Sequence, residues 1–520
     1  MRKQAGMRQL QYFILTIALV FLTACSVVPK TYLRTPSHAL TTYKSTDIGK
    51  IIEKEVARHP GKSGFDVIRY GREAFTTRIA MTDLTDKTLD LQYYLWEPDE
   101  TGRLLALHTL HVADRGVKVR VLLDDIGLQG RDDMIAAMDA HPNIEIRIFN
   151  PFSNRGLHAL DFITDTNRVN HRMHNKTVIM DNAFAIVGGR NIGNHYFGVS
   201  KDINFRDMDI AAVGPIVRDI SKMYDYFWNG KWSVPISVVT KKTYTMSDLE
   251  KERKKLEVKV AKDRYPYPLT QDSRKLQREL KQLLKKFVWT EGEVIYNDPE
   301  QMKLSAQKQS TTIIHALHER LEKARKSVYV EAAYFVPRCQ GIVNLKKMRE
   351  RGVQVRILTN SLKANDVLAA YAGYERYRKD LLKDGIELYE LRDDAGGSKI
   401  INDDPTKSDV RSGLHAKIMV FDEKDVFVGS FNLDPRSSTI NTEGGLYVKS
   451  PVLAKRIMAY MKEGILAKNA YRLKLDKEGH ITWSTVENGK EVIYTSEPKV
   501  GAWDKMKVNL LQMLPLEEQL

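Results

Sequence analysis

Short apolar runs alternate with longer amphipathic stretches along most of the chain. The runs TLDLQYY and VKVRVLL have the length and β-branched content of buried strands, and SVYVEAA and VQVRILT share this pattern further along. A helix-compatible stretch separates the two runs of each pair, for example at 104–115. Strands that alternate with helices predict an α/β fold whose sheets are mixed, mainly parallel and covered by helices.

The chain also repeats itself. Three segments recur in the same order: TLDLQYYLWEP with SVYVEAAYFVP, RGVKVRVLLDD with RGVQVRILTNS, and HNKTVIMDNAFAIVGGRNIG with HAKIMVFDEKDVFVGSFNLD. Their offsets are 239, 236 and 241 residues, which chance explains poorly. We therefore predict two equivalent α-β-α halves, residues 46–240 and 301–468, related by a pseudo-two-fold axis.

The segment between the halves, residues 241–300, has a different composition. Its part from 241 to 286 holds 15 Lys or Arg and 7 Asp or Glu, in two helix-compatible runs. We interpret it either as a solvated helical insertion or as a basic arm that rests on anionic headgroups, and both interpretations stay open. Residues 469–520 form a C-terminal extension, in which short strands and a closing amphipathic helix are expected.

The N-terminus has the pattern of a secretory signal. Arg2, Lys3 and Arg8 precede an apolar stretch, Leu10 to Ala24, that is too short for a confident membrane span. Cys25 follows this stretch directly, which resembles the lipobox of bacterial lipoproteins. The resemblance implies a signal peptide over 1–24, a lipid on Cys25 and a tether over 25–45. An uncleaved signal anchor is the alternative.

That resemblance also implies a location. A lipidated Cys25 would hold the chain on a membrane of the bacterial cell envelope, facing the periplasm. The inner and the outer membrane both stay open. Only one other cysteine, Cys339, is present, so no intramolecular disulfide is possible if Cys25 is lipidated, and no Cys/His zinc spacing surrounds Cys339.

Composition and charge narrow the class of partner. The 520 residues are 42% hydrophobic and 28% charged, which excludes global disorder and a small disulfide scaffold. The net charge of +15 favours nucleic acid, an anionic membrane or a phosphorylated substrate. Loss of residues 1–24 would leave +12, and eight of these charges fall within 241–286. The charge therefore indicates a membrane-facing arm rather than a nucleic-acid footprint.

A His-x-Lys-x4-Asp motif occurs once in each half and continues into Gly-[Gly/Ser]-x-Asn. Its members are His174, Lys176, Asp181 and Asn191 in the first half, and His415, Lys417, Asp422 and Asn432 in the second. A His and a Lys two apart on a strand point to the same face. Two lysines and two amides can hold the oxygens of a phosphodiester, while one imidazole attacks phosphorus and the other acts as acid and base. This chemistry needs no metal and no cofactor.

Each histidine also needs a carboxylate that sets its tautomer. Asp207 and Glu443 occupy matching positions downstream of the two motifs and are the candidates, with Asp209 as a rival to Asp207. The motif aspartates Asp181 and Asp422 begin the turn after the strand. We expect them to face away from the substrate and to make local hydrogen bonds.

These residues resemble the signature of the phospholipase D superfamily, a duplicated His-Lys-Asp motif. Flanking segments such as NHRMHNK, FRDMD and YFVP are similar to the cardiolipin synthase C type of bacterial enzyme. The resemblance implies phosphatidyl transfer through a phosphohistidine, from a donor phospholipid to phosphatidylglycerol. In that subfamily phosphatidylethanolamine can be the donor. Such synthases often lack a lipobox, so the present chain departs from the pattern there.

The resemblance further implies roles and partners. By family habit His174 is the nucleophile and His415 the acid/base, although the two motifs are symmetric in sequence. Phospholipids and a membrane surface are the expected partners, nucleic acid is not expected, and the identity of any helper protein stays open. Three rival functions remain: a phospholipase D-type hydrolase that releases phosphatidic acid, a nuclease of the same superfamily, and a non-enzymatic envelope scaffold.

Overall fold

The computed structural model describes residues 32–300, 312–395, 410–514 and 517–519. The predicted signal peptide and Cys25 therefore lie outside the described residues. The strands, in chain order, are β1 Ser63–Ile68, β2 Thr88–Tyr93, β3 Lys118–Asp124, β4 Ile144–Phe149, β5 Thr177–Met180, β6 Phe184–Gly188, β7 Ile203–Arg206, β8 Asp209–Val213, β9 Ser233–Pro235, β10 Val288–Thr290, β11 Gly292–Tyr296, β12 Ser327–Ala332, β13 Gln354–Asn360, β14 Glu387–Leu391, β15 Arg411–Leu414, β16 Lys417–Phe421, β17 Asp425–Gly429, β18 Gly444–Lys449, β19 Ala470–Leu475, β20 Ile481–Glu487 and β21 Lys490–Tyr494.

Helices cover the sheets and fill the connections between strands. In chain order they are α1 Asp47–Val56, α2 Gly71–Leu84, α3 Glu100–Asp114, α4 Asp132–Asp139, α5 Asp161–Thr164, α6 Thr166–Val169, α7 Ile216–Asn229, α8 Ile236–Thr240, α9 Met246–Lys262, α10 Ser273–Leu284, α11 Thr312–Lys323, α12 Arg338–Glu350, α13 Leu368–Glu375, α14 Arg378–Lys383, α15 Pro435–Thr439, α16 Pro451–Gly464 and α17 Ala502–Met513. Within the described ranges, no helix is long and apolar enough to cross a membrane.

Two large sheets form the two halves. The first has the order β10-β1-β8-β6-β5-β2-β3-β4-β9, and the second has the order β11-β18-β17-β16-β12-β13-β14-β19-β20-β21. The run β8-β6-β5-β2-β3-β4 of the first sheet matches β18-β17-β16-β12-β13-β14 of the second, strand for strand. The predicted α/β fold with two equivalent halves and mixed sheets is therefore confirmed.

The expectation that the sheets are mainly parallel is wrong. In each sheet the parallel pairs are those of three neighbouring strands, β2-β3-β4 and β12-β13-β14, and all other pairs are antiparallel. A parallel pair needs a long crossover, which α3 and α4 supply between β2, β3 and β4. The motif strand β5 instead turns back into β6 after three residues, which allows only antiparallel pairing.

One buried core joins the two halves. The inner faces of both sheets share it with α7 of the first half and α16 of the second, and Trp228, Tyr224 and Tyr460 are its largest aromatic side chains. Each sheet also has one further apolar cluster, which lies between the sheet and the helices on its outer face. The two halves therefore pack against each other as one body, and this packing fixes their relative position.

The basic segment 241–300 has one packed face. Leu249 and Leu256 of α9 are buried against the first half, and Arg253 pairs with Asp114 at 2.9 Å. Its last strands, β10 and β11, add to the edges of the first and the second sheet respectively, so the chain crosses from one sheet to the other at Glu291. The lysines of α9 and α10 lie on the opposite, solvent-facing side of these helices.

The N-terminal described residues lie against the first half. Arg34 donates to the carbonyl oxygen of Lys231 at 3.1 Å, and the amide of Ala39 donates to Asp225 at 2.9 Å. Residues 32–45 fall within the segment expected to be a tether. Tyr32, the first described residue, is seven residue steps from Cys25, and a chain of seven residues reaches at most about 25 Å.

The motif aspartates fasten the turn after each motif strand. Asp181 accepts the backbone amides of residues 86, 87 and 88 at 2.8–3.0 Å, and Asp422 accepts those of residues 325, 326 and 327 at 2.7–3.0 Å. Both aspartates have a left-handed backbone, with φ of 51°. Each carboxylate thus holds the start of β2 or β12 beside the end of its motif strand, through bonds to residues 93–97 positions away.

This arrangement predicts unequal costs for two identical substitutions. Asp181→Asn should lower the free energy of unfolding by about 2–3 kcal/mol, because an amide cannot accept three buried N–H donors. Asp422→Asn should cost about 1 kcal/mol, because Asp422 is partly exposed and water can replace it. Urea denaturation measures both. Asparagine tolerates the left-handed backbone, so backbone strain should not contribute to either change in the free energy of unfolding. A folded Asp181→Asn protein of unchanged stability would contradict this structural role.

Candidate active site

The two motifs enter the centre of the molecule side by side. His174 and Lys176 directly precede β5, and Lys417 begins β16 two residues after His415. Strands β5 and β16 are central in their sheets, next to β2 and β12. All four side chains are buried, with exposed fractions of 2–7%. The structure therefore brings both copies of the motif into one enclosed site.

Each motif is reached through a segment that pairs with the other half. Strand β15, which leads to His415, runs parallel to β7 of the first half. The backbone amide of His415 donates to the carbonyl oxygen of Arg206 at 2.8 Å. The amide of His174 likewise donates to Thr442 of the second half at 2.8 Å. The segment that precedes each histidine is therefore hydrogen-bonded to the backbone of the opposite half.

The orienting carboxylates are exchanged as well. His174 Nδ1 lies 2.9 Å from Glu443 Oε2, and His415 Nδ1 lies 2.7 Å from Asp207 Oδ2. The structure thus places both candidate carboxylates on the histidines, each on the ring of the opposite half. Asp209, the rival, is instead buried between Arg78 and Arg190 at 2.9 and 3.2 Å.

Two further residues, which the sequence alone did not indicate, hold the segments that directly precede the two histidines. Asp124 Oδ2 accepts the amide of Met173 at 2.7 Å, and Asn360 Oδ1 accepts the amide of Leu414 at 2.7 Å. Both occupy the carboxyl end of equivalent strands, β3 and β13, and they are 236 residues apart. That offset, which equals the offset of the surrounding repeat, was the signal that could have found them.

Burial and like charges decide the protonation of the site. Burial, with the nearby ammonium groups of Lys176 and Lys417, holds the pKa of both histidines well below the usual range, so the neutral imidazoles are favoured. Burial also lowers the pKa of Lys417 to about 8 and that of Lys176 well below its usual value. An anionic phosphodiester between the two lysines would favour their charged forms.

The tautomers of the two histidines differ in their surroundings. His174 Nδ1 faces two acceptors, Glu443 and the carbonyl oxygen of Ser430 at 3.1 Å, so it carries the proton and leaves Nε2 with a lone pair. His415 Nδ1 faces Asp207 but also the ammonium of Lys417 at 3.0 Å. An acceptor and a donor therefore meet at this nitrogen, whereas only acceptors face Nδ1 of His174. The two motifs, symmetric in sequence, are not symmetric in space.

The motif asparagines also differ. Asn191 is engaged on both sides, since its Oδ1 accepts the amide of Leu95 at 3.1 Å and its Nδ2 donates to Tyr196 at 2.9 Å. Asn432 is buried, and its Oδ1 has no hydrogen-bond partner in the described part of the chain. The amide of Asn432 is therefore the freer of the two to adjust to a bound group.

Aromatic rings close the site around each imidazole. Tyr94 meets His174 edge-on at 4.9 Å between ring centroids, and its ring lies 5.2 Å from the ammonium of Lys176. Tyr196 meets His415 edge-on at 5.0 Å, and Phe205 stacks on it at 5.4 Å. These rings fix the planes of the imidazoles and reduce access of water. The ring of Tyr94 is not repeated in the second half, which has Ala333 at the equivalent position.

The small residues after the second motif strand differ between halves. Gly189 lies directly against Asp207, and a Cβ there would overlap with the carboxylate. Its counterpart Ser430 instead donates its hydroxyl to Glu443 Oε2 and accepts the amide of Gly444 at 3.1 Å. The shorter Asp207 therefore needs a glycine beside it, whereas the longer Glu443 is held by a serine.

The fold and this paired His-Lys site define the phospholipase D superfamily of enzymes. The family described as "Cardiolipin synthase, PLD-like domain" matches residues 79–228 and 317–465. Cardiolipin synthase C of Escherichia coli K12 is 37% identical over 465 residues, which cover 89% of this chain and 97% of that protein. The chain belongs to this cardiolipin synthase family.

Two other comparisons extend this result. An uncharacterized protein of Helicobacter pylori strain 26695 is 30% identical over 518 residues, which cover 98% of this chain and 100% of that one. The crystal structure of phosphatidylserine synthase from Haemophilus influenzae Rd KW20 matches with a TM-score of 0.58 at 14% identity, and covers 90% of this chain and 100% of that chain. This likeness shows that the fold extends over nearly the whole molecule.

The contact at Gly189 gives a test of how His415 is held. Gly189→Ser should reduce the rate of transfer at least a hundredfold, because the new side chain displaces Asp207 from the imidazole. Gly156→Ser is the matched control, since a Cβ at Gly156 meets nothing within 4 Å. Steady-state kinetics and urea unfolding separate a lost site from a lost fold. A stable Gly189→Ser protein of full activity would show that the contact between His415 and Asp207 is dispensable.

Proposed function

We propose that this protein is a phosphatidyltransferase that makes cardiolipin from a donor phospholipid and phosphatidylglycerol through a phosphohistidine. The observation that carries the proposal is the enclosed pair of histidines, each held by a carboxylate of the opposite half and flanked by a lysine. Membership of the cardiolipin synthase family supports phospholipids as the substrates. The fold and the basic charge alone would suit other phosphodiesters.

The proposed first step forms the phosphatidyl-enzyme. Nε2 of His174 attacks the phosphorus of the donor, and the bond from phosphorus to the leaving alcohol breaks. His415 gives its Nε2 proton to the leaving oxygen, while Lys417 returns a proton to Nδ1. Lys176 supplies the positive charge beside the non-bridging oxygens, whose negative charge grows in the transition state, because Lys417 becomes neutral as it gives its proton to His415.

The second step reverses the proton transfers. A hydroxyl of phosphatidylglycerol attacks the phosphohistidine, its proton passes to Nε2 of His415, and the bond from His174 to phosphorus breaks. Cardiolipin leaves and both imidazoles return to their starting forms. Water in place of the alcohol would give phosphatidic acid. The rings of Tyr94, Tyr196 and Phe205 support transfer over hydrolysis because they limit the space for water around the imidazoles.

The different contacts at the two Nδ1 atoms support His174 as the nucleophile. Two acceptors at Nδ1 of His174 leave the lone pair on Nε2, where it can attack. Lys417, 3.0 Å from Nδ1 of His415, can give that nitrogen a proton as Nε2 gives its own proton to the leaving alcohol, and His174 has no such donor in the described contacts. The family habit named in the sequence analysis points to the same assignment.

We also propose that a lipid on Cys25 anchors the protein in the bacterial cell envelope, with the fold on the periplasmic side. The apolar stretch that ends at Cys25 supports a cleaved lipoprotein signal. The described fold begins at Tyr32, so an anchored Cys25 would keep the first half within about 25 Å of the bilayer. This distance favours direct use of lipids from the membrane surface.

The substrates can be tested with three vesicle compositions. The purified mature chain is incubated with phosphatidylglycerol alone, phosphatidylethanolamine alone, or both, and the lipids are resolved by chromatography. Cardiolipin should form wherever phosphatidylglycerol is present, and a higher yield with both lipids would identify phosphatidylethanolamine as a donor. Phosphatidic acid as the sole product in every mixture would show a hydrolase instead.

The assignment of the nucleophile can be tested by trapping. With His415→Ala, labelled phosphatidylglycerol should leave a phosphatidyl adduct on His174 that turns over at least a hundredfold more slowly, because the acid/base is gone. His174→Ala should form no adduct. Peptide mapping by mass spectrometry identifies the labelled residue. An adduct on His415 in the His174→Ala protein would reverse the assignment.

A further inference from the structure

The C-terminal helix α17 presents an apolar stripe to solvent. Trp503, Met506, Leu510, Met513 and Leu514 have exposed fractions of 45–82%. At 100° per residue they fall within about 100° of the helix circumference. Several large apolar side chains on one exposed face, rather than scattered singly, indicate a contact surface.

The opposite side of α17 is packed. Val508 is buried in the core of the second half, Gln512 Nε2 donates to the carbonyl oxygen of Ala372 at 3.1 Å, and Lys363 pairs with Asp504 at 2.7 Å. The helix is therefore docked on α13 and cannot turn its stripe inward. The stripe is a fixed feature of the fold.

The helix is connected to the site at its first turn. Lys363, which pairs with Asp504, is three residues from Asp366. The carboxylate of Asp366 accepts the hydroxyl of Tyr334 at 3.0 Å and acts electrostatically on Lys417. The packed side of α17 thus contacts a segment, Lys363 to Asp366, that also acts on Lys417.

The chain beyond α17 reaches the first half. Gln519 accepts from Asn170 at 2.6 Å, and its carbonyl oxygen accepts from Arg436 at 3.3 Å. Arg436 also bonds to Asn170 and acts electrostatically on His174. A second apolar group lies nearby along the chain, where Leu157 and Ile163 are 50% and 73% exposed. Exposed apolar residues therefore lie on both halves.

We infer that the stripe of α17 inserts into the headgroup region of the bilayer that holds the lipid substrates, and so sets the site against the membrane surface. Trp503 with Lys507 beside its ring at 5.7 Å is the pairing of amphipathic helices that lie in a membrane interface. Lys505 and Lys507 favour anionic headgroups. The inference rests on the proposed function for the identity of the surface. A second copy of this chain and a protein partner are the other possible occupants.

Vesicle binding by the mature chain with Cys25→Ser, which carries no lipid, tests this surface. Vesicles of phosphatidylethanolamine and phosphatidylglycerol should bind the chain with all other residues unchanged. The added changes Met506→Glu and Leu510→Glu should weaken binding at least tenfold. The matched control is Val343→Glu with Val452→Glu, which adds the same charge at two exposed apolar residues of other helices and should leave binding unchanged. Equal binding by the stripe variant and its control would overturn the inference.

A second measurement separates the other occupants. Lipids brominated in the acyl chain should quench fluorescence that is present with Trp503 and lost in Trp503→Phe. Absence of this quenching, or a dimer in sedimentation that the stripe variant abolishes, would show that another surface contacts the bilayer. Transfer from substrates in detergent micelles should be the same in the stripe variant and its control. If no variant makes cardiolipin in micelles or vesicles, the proposed function fails, whereas the binding result stands by itself.

Discussion

The exchange of carboxylates between the two halves is the constraint on which the rest of the molecule depends. A neutral histidine in a buried site needs an acceptor that fixes its tautomer, and here each acceptor comes from the other half. Neither half could therefore build a complete site alone. The shared core of α7, α16 and the two inner sheet faces is what holds Glu443 and Asp207 within hydrogen-bond distance of His174 and His415.

The proposed reaction is asymmetric, although the fold is symmetric. Two equivalent histidines would compete for the same role, whereas a nucleophile and an acid must differ in protonation at Nε2. Small differences around the rings supply this distinction. Ser430 adds a second acceptor at His174, and the ammonium of Lys417 reaches Nδ1 of His415. Both differences are of position, since one acceptor is a backbone carbonyl oxygen and the donor is a lysine that both motifs share.

The segments outside the repeat connect this site to its surroundings. The basic segment 241–300, which had been interpreted as a solvated insertion or a membrane arm, buries Leu249 and Leu256 against the first half and contributes an edge strand to each sheet. Its solvent-facing lysines leave contact with anionic lipid open. The C-terminal extension adds three strands to the second sheet, and its last helix shows an apolar stripe that the described protein does not cover.

The sequence alone was sufficient to predict the repeat, the motif residues and the positions of both carboxylates, because each depends only on residue type and spacing. Strand direction was misjudged, since a helix between two strands in the sequence does not show which strands become neighbours. Which carboxylate serves which histidine depends on contacts between residues 208 and 269 positions apart. Only the packing of the two halves decides such contacts, because no short-range pattern constrains the distance between them.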